Sequence, residues 1–74
     1  MEISATERRL RERYGELLTV NDLVAVFRYS SAHAVRRAHK LGTLPVELHR
    51  FDGQRRWFAT VTSVATALEK LTRR

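Results

Sequence analysis

The chain has 74 residues, no cysteine and a net charge of +6 at pH 7. This length forms one domain with one small core, and that core leaves little room for a deep catalytic pocket, so we expect no enzyme. The lack of cysteine excludes disulfides and thiolate metal sites. The histidines are scattered and form no zinc-ligand pattern, so we expect no metal and no cofactor.

The positive charge is concentrated in the middle of the chain. Residues 1–27 carry four arginines against five acids, whereas residues 28–56 carry seven cations against two acids. Such focusing predicts a polyanionic partner. The N-terminus lacks an apolar signal region and no apolar run is long enough to span a membrane, so we expect a cytoplasmic protein.

The first predicted element is a helix over Ala5–Tyr14. Ser4 and Glu7 have the spacing of a capping box, and charges of both signs alternate along the helix, which is typical of an exposed surface. We interpret residues 1–16 as an accessory helix that packs weakly on a domain spanning residues 17–74, or that contacts a neighbouring subunit.

A short second helix is predicted after Thr19, which forms a capping box with the shorter acid Asp22. Its apolar face has helical spacing. That face consists of Val20, Leu23, Val24 and Phe27. Two short helices joined by a tight turn match a helix-turn-helix in length and order.

The third helix carries a basic face. Ser30 and Ser31 are both candidates for its N-cap, Gly42 is a good C-terminal residue, and Pro45 blocks continuation. Its narrow apolar stripe consists of Ala34, Val35, Ala38 and Leu41. Off that stripe lie His33 and the cations Arg36, Arg37 and Lys40. His39 is interpreted as a packing or surface residue.

After the third helix the pattern becomes extended and predicts a β-hairpin. Val46 and Leu48 alternate with polar residues, and Asp52-Gly53 is a strong turn signal. Trp57 is the best candidate to anchor the hairpin on the helices. The tip carries Arg50, Gln54, Arg55 and Arg56. Strand alternation predicts that Arg55 and Arg56 point to opposite sides.

A final helix is predicted over residues 61–71. Thr60 is its N-cap candidate. Its predicted apolar face consists of Val61, Val64, Ala65, Leu68 and Leu71. The whole order predicts a mainly α fold with a small β-hairpin.

The segments LLTVNDLVAVF, SSAHAVRRAHKLGTLPV and RRWFAT resemble the small winged helix-turn-helix proteins of the MerR-like and phage excisionase superfamily. The similar features are the Leu18-Thr19 helix start, the cap at Ser31, the Gly-x-Leu-Pro ending and the arginines before the last helix. The resemblance covers about residues 17–71. The chain departs from the family pattern at Arg28, where a glycine is common. The hairpin also looks similar to that of small phage transcription activators, such as the pyocin activator group.

The resemblance implies binding to double-stranded DNA, with the third helix in the major groove and a basic wing on an adjacent groove or the backbone. It implies an excisionase (a recombination directionality factor) or a small transcriptional regulator of a mobile element. Several copies would bind side by side, with an integrase or RNA polymerase as further partners and no small-molecule effector. Candidate contacts are Ser30, Ser31, His33, Arg36, Arg37, Lys40, Arg50, Gln54, Arg55 and Arg56. Arg36 is assigned to bases and Arg55 to phosphates.

A protein-interaction adaptor that uses the same scaffold is the alternative. RNA is disfavoured because the sequence suggests no exposed aromatic platform for stacked bases. SSAHAV combines serine and histidine, but a catalytic triad needs a preorganised pocket, so no catalytic residue is assigned.

Overall fold

The computed structural model describes residues 4–72. Its elements are α1 (Ala5–Tyr14), β1 (Leu17–Thr19), α2 (Val20–Phe27), α3 (Ala32–Leu41), β2 (Phe58–Thr60) and α4 (Val61–Thr72). The protein is therefore mainly helical, as predicted, and it has a small antiparallel sheet. A membrane-spanning helix needs about 20 apolar residues, and no helix in the described range is long and apolar enough for that.

The sheet is formed by strands that the sequence did not pair. β1 runs antiparallel to β2, with Leu18 opposite Ala59. Residues 17–19 lead directly into α2 with Thr19 as its N-cap, as predicted, and they also form a strand that was not predicted, in which Leu18 is fully buried. Three residues are too few to show an alternating pattern.

The predicted hairpin is present mainly as a loop. His49 and Phe58 exchange two backbone hydrogen bonds of 2.7 and 2.8 Å, and they form a single antiparallel bridge rather than a ladder. We call residues 49–58, the segment closed by this bridge, the arm. Residues 55–57 were predicted as strand and are not strand, because their side of the arm has no ladder to join.

The Asp-Gly turn at the tip of the arm is confirmed. The N–H of Gln54 donates to the carbonyl of Phe51 at 3.0 Å, and Gly53 has a φ of +80°. Asp52 does not share that positive φ, so the turn is not type I′. A positive φ at the second central residue alone is the requirement of a type II turn.

α1 packs along α4. Ser4 caps it by accepting from the N–H of Glu7 at 3.1 Å. The Glu7 carboxylate accepts from Arg11 at 2.8 Å and from the Thr62 hydroxyl of α4 at 3.3 Å. The hydrogen bond that Arg11 donates to Glu7 raises the pKa of Arg11 above its ordinary value, so this guanidinium stays charged. α1 and α4 make the most extensive helix–helix contact among the described residues, while no described residue of α1 is fully buried.

One core joins every other element. Its fully buried large side chains come from β1, α2, α3 and α4: Leu18, Leu23, Val35, Val61 and Val64. Leu10 and Tyr14 of α1 pack against its edge. Burial of this apolar area is the main force that positions α3 and the arm relative to each other.

The connection between α2 and α3 is a short turn with a left-handed residue. Arg28 has φ 59° and ψ 42°, and its N–H donates to the carbonyl of Val24. Ser31, not Ser30, is the N-cap of α3, since its hydroxyl accepts from the N–H of Ala34 at 3.1 Å. The Arg28 conformation explains why a glycine suits this position.

We expect Arg28→Gly to raise the free energy of unfolding by about 0.5–1 kcal/mol, since a left-handed conformation strains a residue with a side chain. Gly42→Ala is the reverse control. Gly42 has a φ of +76° with open space where a Cβ would lie. We therefore expect Gly42→Ala to lower the free energy of unfolding by about 1 kcal/mol through backbone strain alone. Urea denaturation measures both values. A loss of stability in Arg28→Gly would contradict strain at this turn.

Candidate nucleic-acid interface

α3 has a buried face and a basic face. Val35 and Ala38 are buried in the core, whereas the polar side chains predicted to contact a partner are exposed. These exposed residues are His33, Arg36, Arg37 and Lys40. Ser30 and Ser31 are exposed at the start of the helix. The basic face is therefore free to meet a partner while the opposite face holds the helix in place.

Trp57 attaches the arm to α3. Its ring lies 5.1 Å from the His39 ring of α3, between centroids. The guanidinium of Arg50 lies 5.0 Å from the centroid of the same indole ring. Trp57 is half-buried against the core, which confirms it as the anchor of the arm and His39 as a packing residue. The arm therefore takes its position from a side-chain contact more than from strand pairing.

An open groove of about 380 Å³ lies between α2, α3 and the arm. It is lined by Thr19, Val20, Asn21, Arg36, Arg55, Arg56 and Trp57. The structure thus brings Arg36 of α3 to the same groove as Arg55 and Arg56. The prediction that Arg55 and Arg56 lie on opposite sides is wrong, because that part of the arm is not a strand and does not alternate.

The other arm residues lie elsewhere. Arg50 lines a second, largely apolar groove beside Leu17, Phe51 and Phe58. Gln54 is exposed, and its backbone closes the turn at the tip. The predicted contact residues of the arm therefore form two groups, and the group of Arg55 and Arg56 adjoins α3.

The groove arginines keep their charge unneutralised. Within residues 4–72 the ion pairs join Arg11 to Glu7 and Glu16, and the Glu47 carboxylate lies 3.9 Å from the His49 ring, so none of these contacts involves a groove arginine. The carboxylate of Asp22 accepts a hydrogen bond of 3.0 Å from the N–H of Thr19. This surface consequently carries the net positive potential that attracts anions.

Sequence reasoning missed the wall that α2 contributes to the groove. Thr19 and Asn21 line it, and the capping box at Thr19, confirmed by hydrogen bonds of 3.0 and 3.2 Å, fixes where α2 begins. The only available signal was a polar Asn21 on a helix that is otherwise mostly apolar. A polar residue at position 21 indicates that this side of α2 is exposed, but it does not show that the arm lies next to it.

We expect His39→Ala to lower the free energy of unfolding by about 1 kcal/mol, because it removes the ring that packs on Trp57. His33→Ala is the matched control on the same helix, and its exposed ring should contribute less than about 0.5 kcal/mol. Urea denaturation followed by Trp57 fluorescence measures both. Amide hydrogen exchange at His49 and Phe58 should quicken only in His39→Ala. Equal effects of the two substitutions would contradict Trp57 as the link between arm and helix.

No protein-family model, curated protein or solved structure matches this chain. The resemblance to the MerR-like and excisionase proteins therefore stays an interpretation of the motifs quoted above. The function proposed below is based on the chemistry and geometry of the chain's own residues.

Proposed function

We propose that the protein binds double-stranded DNA sequence-specifically, as a winged helix-turn-helix in which α3 enters the major groove and the arm is the wing. One observation carries the proposal. Arg36 of α3 lines the same groove as Arg55 and Arg56 of the arm. Two cationic projections on one side of a small domain suit the curved, anionic surface of a duplex.

The dimensions of the two projections support this fit. α3 has 10 residues, so it is about 15 Å long, and the major groove of B-DNA admits one α-helix. Small residues at Ala34 and Ala38 let α3 pack closely on its neighbours while its long cations extend outward. Arginine forks can bond guanine edges or phosphates with two parallel hydrogen bonds.

A single unit of this size makes few base contacts, so useful specificity requires several copies on adjacent sites. We propose that the protein acts in this way as an excisionase or a small transcriptional regulator of a mobile element. An integrase or RNA polymerase would then be its protein partner. Sedimentation with and without DNA tests the first step, and a tight dimer without DNA would contradict assembly on the duplex.

Fluorescence anisotropy with duplex DNA, measured across salt concentrations, tests DNA binding directly. The logarithm of the association constant should fall linearly with the logarithm of salt concentration, by about 0.9 for each phosphate neutralised. We expect Arg55→Ala to weaken binding by about 5- to 10-fold at 0.1 M salt and to make this slope shallower by about 0.9.

Arg9→Ala is the matched control for this measurement. Arg9 is an exposed arginine on α1, a helix that packs on α4, so its loss should change affinity by less than about 2-fold at this salt. Equal losses in the two variants would indicate attraction to total charge rather than to this face. Absence of duplex binding by the wild-type chain would favour the protein-interaction adaptor.

A further inference from the structure

Arg36 lies on a different flank of α3 from the residue that follows it. Successive residues of a helix are rotated by about 100°, so Ala32, Arg36 and His39 follow one flank. His39 contacts Trp57 of the arm at 5.1 Å between ring centroids. Arg36 accordingly lines the groove next to the arm, whereas Arg37 is exposed and does not line it.

We propose that this groove is a phosphate-binding cleft, in which Arg36, Arg55 and Arg56 together hold one phosphodiester group of the DNA backbone. The proposal rests on the proposed function. It changes the role of Arg36, which the sequence assigned to reading a base. The α3 residues that contact base edges are then those of the neighbouring stripe, His33, Arg37 and Lys40.

The chemistry of the lining favours a phosphate over a base edge. Guanidinium groups bind phosphate oxygens through charge-assisted, often bidentate hydrogen bonds, and three arginines from two elements line this groove. None of the ion pairs within residues 4–72 occupies these guanidinium groups. The acid at the start of α2, Asp22, already accepts from the N–H of Thr19. An unneutralised trio of cations is an arrangement that a dianion or a chain of phosphates stabilises.

The shape of the cleft agrees with this occupant. Its volume of about 380 Å³ is on the order of ten times the space that one water takes up in the liquid, so a phosphate group with part of its sugar fits. Trp57 forms one wall and Asn21 another, and both side chains carry N–H donors. The cleft is open on one side, as a continuous strand of DNA requires.

Arg36→Gln and its neighbour Arg37→Gln form a matched pair that tests the new role. Each is measured by anisotropy on the duplex selected from a random pool and on a scrambled duplex of equal length. We expect Arg36→Gln to weaken both complexes by the same factor, about 5- to 10-fold at 0.1 M salt, and to make the salt slope shallower by about 0.9. Arg37→Gln should lower the ratio of the two affinities at least about 5-fold.

The proposal would be overturned if Arg36→Gln lowered the ratio of the affinities for the selected and the scrambled duplex as much as Arg37→Gln does. Arg36 would then contribute to sequence recognition. An unchanged ratio with a parallel loss on both duplexes supports it. Both positions are exposed, and equal urea midpoints for the two variants and the wild type would show that folding is not the cause.

A second experiment separates the cleft from DNA binding as a whole. Inorganic pyrophosphate is titrated into the wild-type chain while the side-chain N–H signals of arginine and tryptophan are followed by NMR. We expect saturable shifts at Arg36, Arg55, Arg56 and the Trp57 indole, with Arg9 and Arg37 unchanged. Uniform small shifts at all arginines would overturn the cleft even if the duplex still binds. Saturable shifts without duplex binding would overturn the proposed function and leave an anion site.

Discussion

The contact between Trp57 and His39 is the interaction on which the proposed interface depends. The arm has one bridge, at His49 and Phe58, and a loop held only by that bridge could take many positions relative to α3. Packing of the indole against His39 and the core removes this freedom. Because Arg55 and Arg56 directly precede Trp57, the same contact sets where their charges lie. Packing of an apolar side chain, Trp57, thereby positions the charged side chains of the proposed interface.

The two halves of the molecule use arginine in different ways. In α1, Arg11 bridges Glu7 and Glu16 at 2.8 and 2.7 Å, and Glu7 also reaches Thr62 of α4. That arginine serves the fold by joining neighbouring segments. The arginines of the groove have no such carboxylate partner among the described residues. Unneutralised charge on a surface costs some stability through self-repulsion, and a polyanion that binds there relieves that repulsion.

The left-handed residue between α2 and α3 shows how a local strain can serve the arrangement of helices. Arg28 takes a conformation that glycine adopts without cost. The tight connection sets Ser31 as the cap of α3, and the cap sets which side chains of α3 face the core. Val35 enters the core as a result, and the cations point outward. Core packing elsewhere outweighs the strain at one exposed turn.

Local chemistry determined much of this protein from the sequence alone. Ser4, Thr19, Ser31 and Thr60 mark helix starts because a side-chain oxygen satisfies an N–H two or three residues later, and all four act in this way in the structure. The Asp-Gly turn and the concentration of positive charge in the middle of the chain are likewise properties of short segments.

Tertiary structure alone decided which of these segments meet. β1 pairs with β2 across some forty residues of chain. The Glu7 carboxylate accepts a hydrogen bond from Thr62, which lies 55 residues further along the chain. No periodicity within either partner encodes such pairings, since three-residue strands are stabilised by the core and not by their own pattern. The grouping of Arg36 with Arg55 and Arg56 likewise depends on a contact between segments distant in the chain, that of Trp57 with His39. The sequence therefore identified the cationic residues, and the packing of Trp57 determined which of them line the same groove.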